Sequence, residues 1–157
     1  MWWIVENQFH LGKPTAAAII STAYAVAIFL NPLAGWCADR FNRWSVLAFM
    51  VTLMIPACVA MKSTDIQLFG AATVLLVSLG HACANQAYPA AVDLLKGREI
   101  GPVTGIVALG GGIFGFLGPQ LLGSLREVSG SFALGWTVMT VTTTAILVVI
   151  LLMGRYS

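Results

Sequence analysis

Long apolar runs separated by short polar breaks dominate this chain from residue 15 to residue 153. They cover roughly residues 15–38, 44–61, 66–92, 101–125 and 132–153. A helix needs about 20 residues, at about 1.5 Å each, to cross the hydrocarbon core of a bilayer. The runs are continuous rather than alternating, and a helix satisfies its own backbone polar groups in lipid. The pattern therefore predicts five transmembrane helices.

The composition supports an all-α, multi-pass membrane bundle. Of the 157 residues, 59% are hydrophobic and 9% are charged, whereas soluble domains carry about a quarter charged residues. The net charge of +2 is too small and too scattered for a nucleic-acid surface. No nucleophile and base converge in the sequence, and no group of potential metal ligands has a suitable spacing. We therefore expect neither an enzyme nor a metal or cofactor site.

The basic residues predict how the helices are oriented. One set of alternate helix ends has more of them than the other, which places that set in the cytoplasm. The first set holds Arg40, Arg43, Lys96, Arg98 and Arg155, and the second holds Lys13, Lys62 and Arg126. We expect residues 15–157 to form the five-helix transmembrane region, and this orientation puts its C-terminus in the cytoplasm. We expect residues 1–14 to form the end of a preceding helix and an external loop, with the chain in the cell membrane.

A charged break between the first two runs carries the clearest motif, Gly-x-x-x-Asp-Arg-x-x-Arg, from Gly35 to Arg43. Gly35 has no side chain beyond hydrogen and would let two helices approach closely. We expect Asp39 to accept hydrogen bonds from the N-terminus of a neighbouring helix, and Arg40 and Arg43 to face water and lipid phosphate. An ordinary cytoplasmic loop is the simpler alternative.

This motif resembles the loop signature of the major facilitator superfamily of secondary transporters. In that family the matching residues hold the cytoplasmic side closed in one conformational state. The resemblance therefore assigns Gly35, Asp39, Arg40 and Arg43 to conformational gating. The chain departs from the family pattern at Asn42, where glycine is usual, and at Trp44, where a basic residue is common.

Polar residues inside the runs are candidates for a solute path, because a polar group in mid-membrane needs a partner or a water-filled cavity. Ser78, His81 and Asn85 share one helical face, and Gln86 lies about 100° further round. The predicted path residues are Tyr24, Asn31, His81, Asn85 and Gln86. The alternative for this set is hydrogen bonding between helices. Asn31-Pro32 would then form a local kink, and Gln86 would brace a neighbouring helix.

The fourth run is rich in glycine. Its glycines form small-xxx-small pairs, which allow tight helix crossing, and they also weaken the helix by about 1 kcal/mol each. We expect both close packing and a bendable gating helix. The residues concerned are Gly101, Gly105, Gly111, Gly115, Gly118 and Pro119.

The stretches at residues 80–88, 101–106 and 110–119 resemble the anion:cation symporter branch of the superfamily, which includes carriers of hexuronate and other sugar acids. The stretch at residues 110–119 resembles the nitrate/nitrite porters as well. The resemblance implies five of the six helices of the C-terminal half, matching helices eight to twelve, although helices two to six would have the same orientation.

The function implied is a secondary carrier of a small solute, an organic anion such as a sugar acid, coupled to H⁺ or Na⁺ and working by alternating access. The implied partners are the bilayer and a missing N-terminal half. No arginine or lysine lies within a predicted span, so the main charge partner of an anion would lie in that missing part. The alternatives are a drug-efflux carrier, a nitrate/nitrite porter or a truncated membrane protein that transports nothing.

Overall fold

The computed structural model describes residues 9, 12–94 and 100–155, and this part of the chain forms five consecutive long helices. They are α1 (Lys13–Arg40), α2 (Arg43–Ala60), α3 (Ile66–Leu94), α4 (Ile100–Ser129) and α5 (Ala133–Met153). All five are long and apolar enough to cross a membrane. The predicted fold class, a bundle of five transmembrane helices, is confirmed.

The helix bounds differ from the predicted limits by a few residues. The largest difference is at α4, which continues to Ser129 rather than ending near residue 125. Most of segment 1–14, predicted to be the end of a helix and a loop, lies outside the described residues.

Local sequence explains where the helices begin and end. Asn42 caps α2, because its side-chain oxygen accepts hydrogen bonds from the backbone N–H groups of Trp44 (2.9 Å) and Ser45 (3.3 Å). Asp65 does the same at the start of α3, accepting from the backbone of Gln67 at 2.8 Å. Gly130 follows α4 with φ +72°, a left-handed conformation that glycine adopts without a steric penalty.

Helices α1 and α3 run parallel and pack along a row of small residues. The buried residues of α1 are all alanines, at intervals of seven and four residues along one face: Ala16, Ala23, Ala27, Ala34 and Ala38. The contacts advance together along both helices, from Ile19 beside Gly70 to Gly35 beside Gln86. Midway, the Ser78 hydroxyl donates a 3.0 Å hydrogen bond to the carbonyl of Ala23. Small residues let the two backbones approach closely.

Two apolar clusters close the bundle at opposite ends. One contains Met61, Phe69, Phe132 and Trp136, and it joins α3 and α5 to the loop after α2. The other contains Leu47, Met50, Leu79 and Ala82, with Trp44 and Ile150 packed against it. A Cβ on Gly154 would lie 3.0 Å from Cβ of Trp44, so the end of α5 lies close against the start of α2.

Helix α4 lies at the edge of the bundle, and none of its residues is buried. Many of its large apolar side chains are exposed, among them Ile106, Leu109, Phe114 and Phe116. In a membrane protein, such a helix has lipid or another protein segment as its environment.

Enlarging the alanine at the centre of the α1–α3 contact is expected to destabilise the bundle. Ala23 is fully buried, so Ala23→Leu should lower the free energy of unfolding by about 1–3 kcal/mol through overpacking. Ala25 lies two residues along the same helix and is exposed, so Ala25→Leu is the matched control with little expected change. Thermal unfolding of both variants in mild detergent measures the difference, and equal stability of the two would contradict close α1–α3 packing.

Candidate functional site

The side chain of Arg43 joins three helices at one end of the bundle. It lies at the start of α2 and is mostly buried, with 19% of the side chain exposed. Its Nη2 contacts Oδ1 of Asp39 on α1 at 3.1 Å, and its Nε contacts Oδ2 of Asp93 on α3 at 3.0 Å. Its Nη1 donates to Oε1 of Gln86, also on α3, at 3.0 Å. We call these four residues the Arg43 cluster.

Arginine suits this position because its guanidinium group is planar and carries five N–H donors in a rigid fork. Here Nε, Nη1 and Nη2 each reach a different acceptor. The two carboxylates are exposed, whereas Gln86 is only 6% exposed. The bond to Gln86 is therefore the one that satisfies a buried polar group, and such a group is expensive to leave unpaired.

The turn between α1 and α2 explains why Asp39 and Arg43 meet. Helix α1 ends at Arg40, where the Phe41 N–H donates to the carbonyl of Cys37 at 2.8 Å. The cap at Asn42 then starts α2 at once. Only two residues separate the helices, so a side chain in the last turn of α1 lies beside the first residue of α2.

The structure changes two expectations for the Gly35–Arg43 motif. Arg43, expected to face water and lipid phosphate, points instead at three acceptors within the chain. Asp39, expected to accept from the backbone at a helix N-terminus, bonds to the side chain of Arg43. Arg40 is exposed, as expected. Gly35 faces α3, where a Cβ would meet Nε2 of Gln86 at 3.5 Å, an ordinary contact distance. The gating role of all four residues stays a prediction.

Sequence reasoning did not assign a role to Asp93. This carboxylate lies 50 residues after Arg43 in the chain, and the packing of α3 against α1 and α2 brings it within 3.0 Å of Nε of Arg43. The available signal was its position as an acidic residue at the end of α3 that shares a membrane side with the basic loop. That signal gives the side of the membrane but not the partner.

The predicted path residues fall into two environments. Tyr24 and His81 lie together near the middle of α1 and α3, with ring centroids 5.1 Å apart and an angle of 50° between the rings. Both side chains are exposed, as is Asn85 one helical turn beyond His81. These three residues form a polar face on two neighbouring helices, which we call the Tyr24 face.

The other polar residues face the interior of the bundle. Gln86 belongs to the Arg43 cluster, which agrees with the bracing alternative raised from its sequence position. Ser78 is buried and bonds to the α1 backbone. Asn31 is half-buried, and within the described part of the chain its buried Oδ1 atom has no hydrogen-bond partner. It precedes Pro32, which lies inside α1 without ending the helix.

A cavity of about 500 Å³ lies beside Tyr24, between α4 and the other helices. Gly115, Gly118 and Pro119 lie on its α4 side, and Trp136 and Thr143 of α5 lie on another side. The rest of the lining is mainly apolar, including Ile20, Met54, Leu76, Phe114 and Met139.

The α4 glycines make no close helix contact with the part of the chain that the structure describes. A Cβ built on Gly101, Gly105, Gly111, Gly115 or Gly118 would meet no atom within 4 Å among those residues. The close crossing in this bundle is between the alanines of α1 and α3 instead. Close packing of another helix on these glycines and Pro119 stays a prediction, because the described helices do not provide such a contact at the glycines.

The Major Facilitator Superfamily profile matches residues 1–156, almost the whole chain. The chain belongs to the major facilitator superfamily, which confirms the resemblance found in the Gly35–Arg43 motif. It is a multi-pass membrane protein. No solved structure gives a significant match.

Several curated relatives have names that refer to nitrate or nitrite. A probable nitrate transporter of Staphylococcus aureus (strain JH9) is 27% identical over 135 residues, which cover 86% of this chain and 35% of the relative. The corresponding protein of Staphylococcus haemolyticus is 29% identical over 139 residues, with the same coverage. The nitrite extrusion protein of Bacillus subtilis is 29% identical over 150 residues, covering 92% of this chain and 37% of the relative. The chain thus spans about a third of the length of these relatives.

These relatives bear on the two branches that the sequence resembled. The sugar-acid branch, given first, receives no support from them. The nitrate/nitrite porters, given as an alternative, are the proteins named.

Replacing Arg43 with lysine is expected to destabilise the bundle, because one ammonium group cannot serve three separated acceptors and Gln86 would lose its donor. We expect Arg43→Lys to lower the free energy of unfolding by about 1–3 kcal/mol. The matched control is Arg40→Lys in the same turn, with a change within about 0.5 kcal/mol because Arg40 is exposed. Thermal unfolding in detergent tests this, and equal effects of the two substitutions would show that the Arg43 bonds contribute no net stability.

Proposed function

We propose that the chain is the C-terminal helix bundle of a secondary carrier that moves a small anion of the nitrate or nitrite class by ion-coupled alternating access. The observation that carries the proposal is the Tyr24 face. Exposed polar side chains in the middle of two apolar helices are costly in lipid. They are stable where they border water and solute, as on the wall of a transport path.

The chemistry of this face suits an anion. The Tyr24 hydroxyl, the His81 ring and the Asn85 amide all offer hydrogen-bond donors without a permanent charge. In this proposal the Nδ2 group of Asn31, which is half-buried, adds an amide donor on α1. The apolar runs 15–38, 44–61, 66–92, 101–125 and 132–153 contain no lysine or arginine, so in this proposal the balancing positive charge comes from another part of the carrier. The names of the relatives favour nitrate or nitrite over the larger sugar acids.

The Arg43 cluster would control conformation in this carrier. It joins the ends of α1, α2 and α3 into one unit, and such a unit can move as a rigid body when the carrier alternates between states. Arg40 and Gly35 belong to the same motif. The proposal places this end of the bundle and the C-terminus in the cytoplasm, in the cell membrane, with H⁺ or Na⁺ as the coupling ion.

The remaining surface of α4 would meet the rest of the carrier. This helix has a row of glycines with open space beside them and no buried residue. Small residues of this kind allow close helix contacts in membranes. A bendable glycine helix between the two parts would also serve the rocking motion.

Transport assays of reconstituted vesicles test this proposal. The chain would be assembled with the part of the Bacillus subtilis nitrite extrusion protein that it does not align with, and uptake of nitrate, nitrite and hexuronate would be compared. We expect flux of nitrate or nitrite with both parts present, and none with either part alone. Hexuronate flux would restore the sugar-acid assignment. A properly assembled complex that moves none of these solutes would favour a membrane protein without transport activity.

Substitutions on the Tyr24 face are expected to lower flux without unfolding the bundle. Each of His81→Ala and Asn85→Ala removes one donor from an exposed position, so we expect about a tenfold lower rate, equivalent to about 1.4 kcal/mol. Gln67→Ala, an exposed amide near the start of α3, is the control and should leave the rate unchanged. Initial uptake rates in the assembled vesicles measure the effect. Rates equal to the control would remove these residues from the path.

A further inference from the structure

An apolar groove of about 430 Å³ lies between α1 and α2, at the end of the bundle that contains the Arg43 cluster. Leu33, Cys37 and Phe41 form one wall, and Phe49 and Leu53 form the other. Leu79 of α3 lies between them at the base. Both walls carry exposed side chains, with Leu33 56% and Phe49 64% exposed. The groove therefore opens sideways, away from the helix bundle.

The dimensions of the groove match one leaflet of a membrane. Along α1 and the residue that follows it, the groove extends from Leu30 to Phe41, and at about 1.5 Å per residue this is roughly 16 Å. Half of the hydrocarbon core of a bilayer is about 15 Å thick. The groove ends at the two-residue turn between the helices, where the chain reaches the interface between hydrocarbon and water.

Arg40 provides a positive charge at that end. It follows Leu33 by seven residues and Cys37 by three, so it continues the same face of α1. Its neighbour Asp39 pairs with Arg43. Among the described residues, Arg40 forms no ion pair or side-chain hydrogen bond. An exposed guanidinium group with no acceptor among the described residues attracts a phosphate in the headgroup region.

We propose that this groove binds one acyl chain of an anionic phospholipid, with the lipid phosphate on Arg40. The apolar walls would hold the chain along its length, and Arg40 would select an anionic headgroup over a zwitterionic one. A second copy of the protein is a poorer fit. A two-fold axis along the membrane normal would place two Arg40 side chains at the same depth in one interface, where like charges repel.

Native mass spectrometry of the whole chain, purified in mild detergent and stripped of lipid, tests this proposal. The probes are phosphatidylglycerol and phosphatidylcholine with identical acyl chains. We expect one tightly retained phosphatidylglycerol per chain and weaker retention of phosphatidylcholine. Arg40→Gln should lower the affinity for phosphatidylglycerol about fivefold, which corresponds to about 1 kcal/mol for one basic residue at the surface. It should leave phosphatidylcholine binding unchanged.

Two further variants separate the groove from general charge effects. Arg155→Gln removes an exposed arginine beyond the end of α5, at the same end of the bundle, and should keep the preference for phosphatidylglycerol. Leu33→Trp fills the groove from an exposed position and should reduce the binding of both lipids. Equal retention of the two lipids by the unmodified chain would overturn the proposal. So would equal losses in the Arg40 and Arg155 variants, or a dimer that Leu33→Trp dissociates.

Discussion

The close parallel contact between α1 and α3 is the constraint on which the other features of this bundle depend. It is made by alanines, which bury little apolar surface each but let the two backbones approach. The Ser78 hydroxyl can then reach the Ala23 carbonyl, and the rings of Tyr24 and His81 lie 5.1 Å apart. The same contact holds Gln86 beside Gly35. The polar face in the middle of the membrane and the charged cluster at its edge are therefore two products of one packing arrangement.

The Arg43 cluster and the Tyr24 face differ in how strongly the protein holds them. Arg43 has three acceptors on two neighbouring helices and is mostly buried, so its position is determined by several bonds at once. Tyr24, His81 and Asn85 are exposed, so neighbouring groups in the described part of the chain restrain them less. In the proposed carrier, the Arg43 cluster would move as a rigid unit while the Tyr24 face adapts to the solute.

The glycines of α4 and the alanines of α1 show where reasoning from sequence succeeds and where it stops. Both are rows of small residues in apolar helices, and the glycines are the more conspicuous of the two in the sequence. In the described part of the chain the alanines form the close contact, and the glycines face open space. The spacing of small residues indicates that a helix can pack closely, but it does not show which helix it packs against.

The sequence by itself determined the five membrane-spanning helices, their approximate limits, the superfamily and the grouping of charge at one end of the bundle. These follow from local properties, since apolar length, capping residues and a short motif act within one helix or turn. The tertiary structure alone decided that Arg43 bonds to Gln86 and Asp93 rather than facing lipid, that Ser78 is buried, and that an apolar groove ends beside Arg40. These features depend on which helix faces lie together, and that is set by the summed packing of residues far apart in the chain.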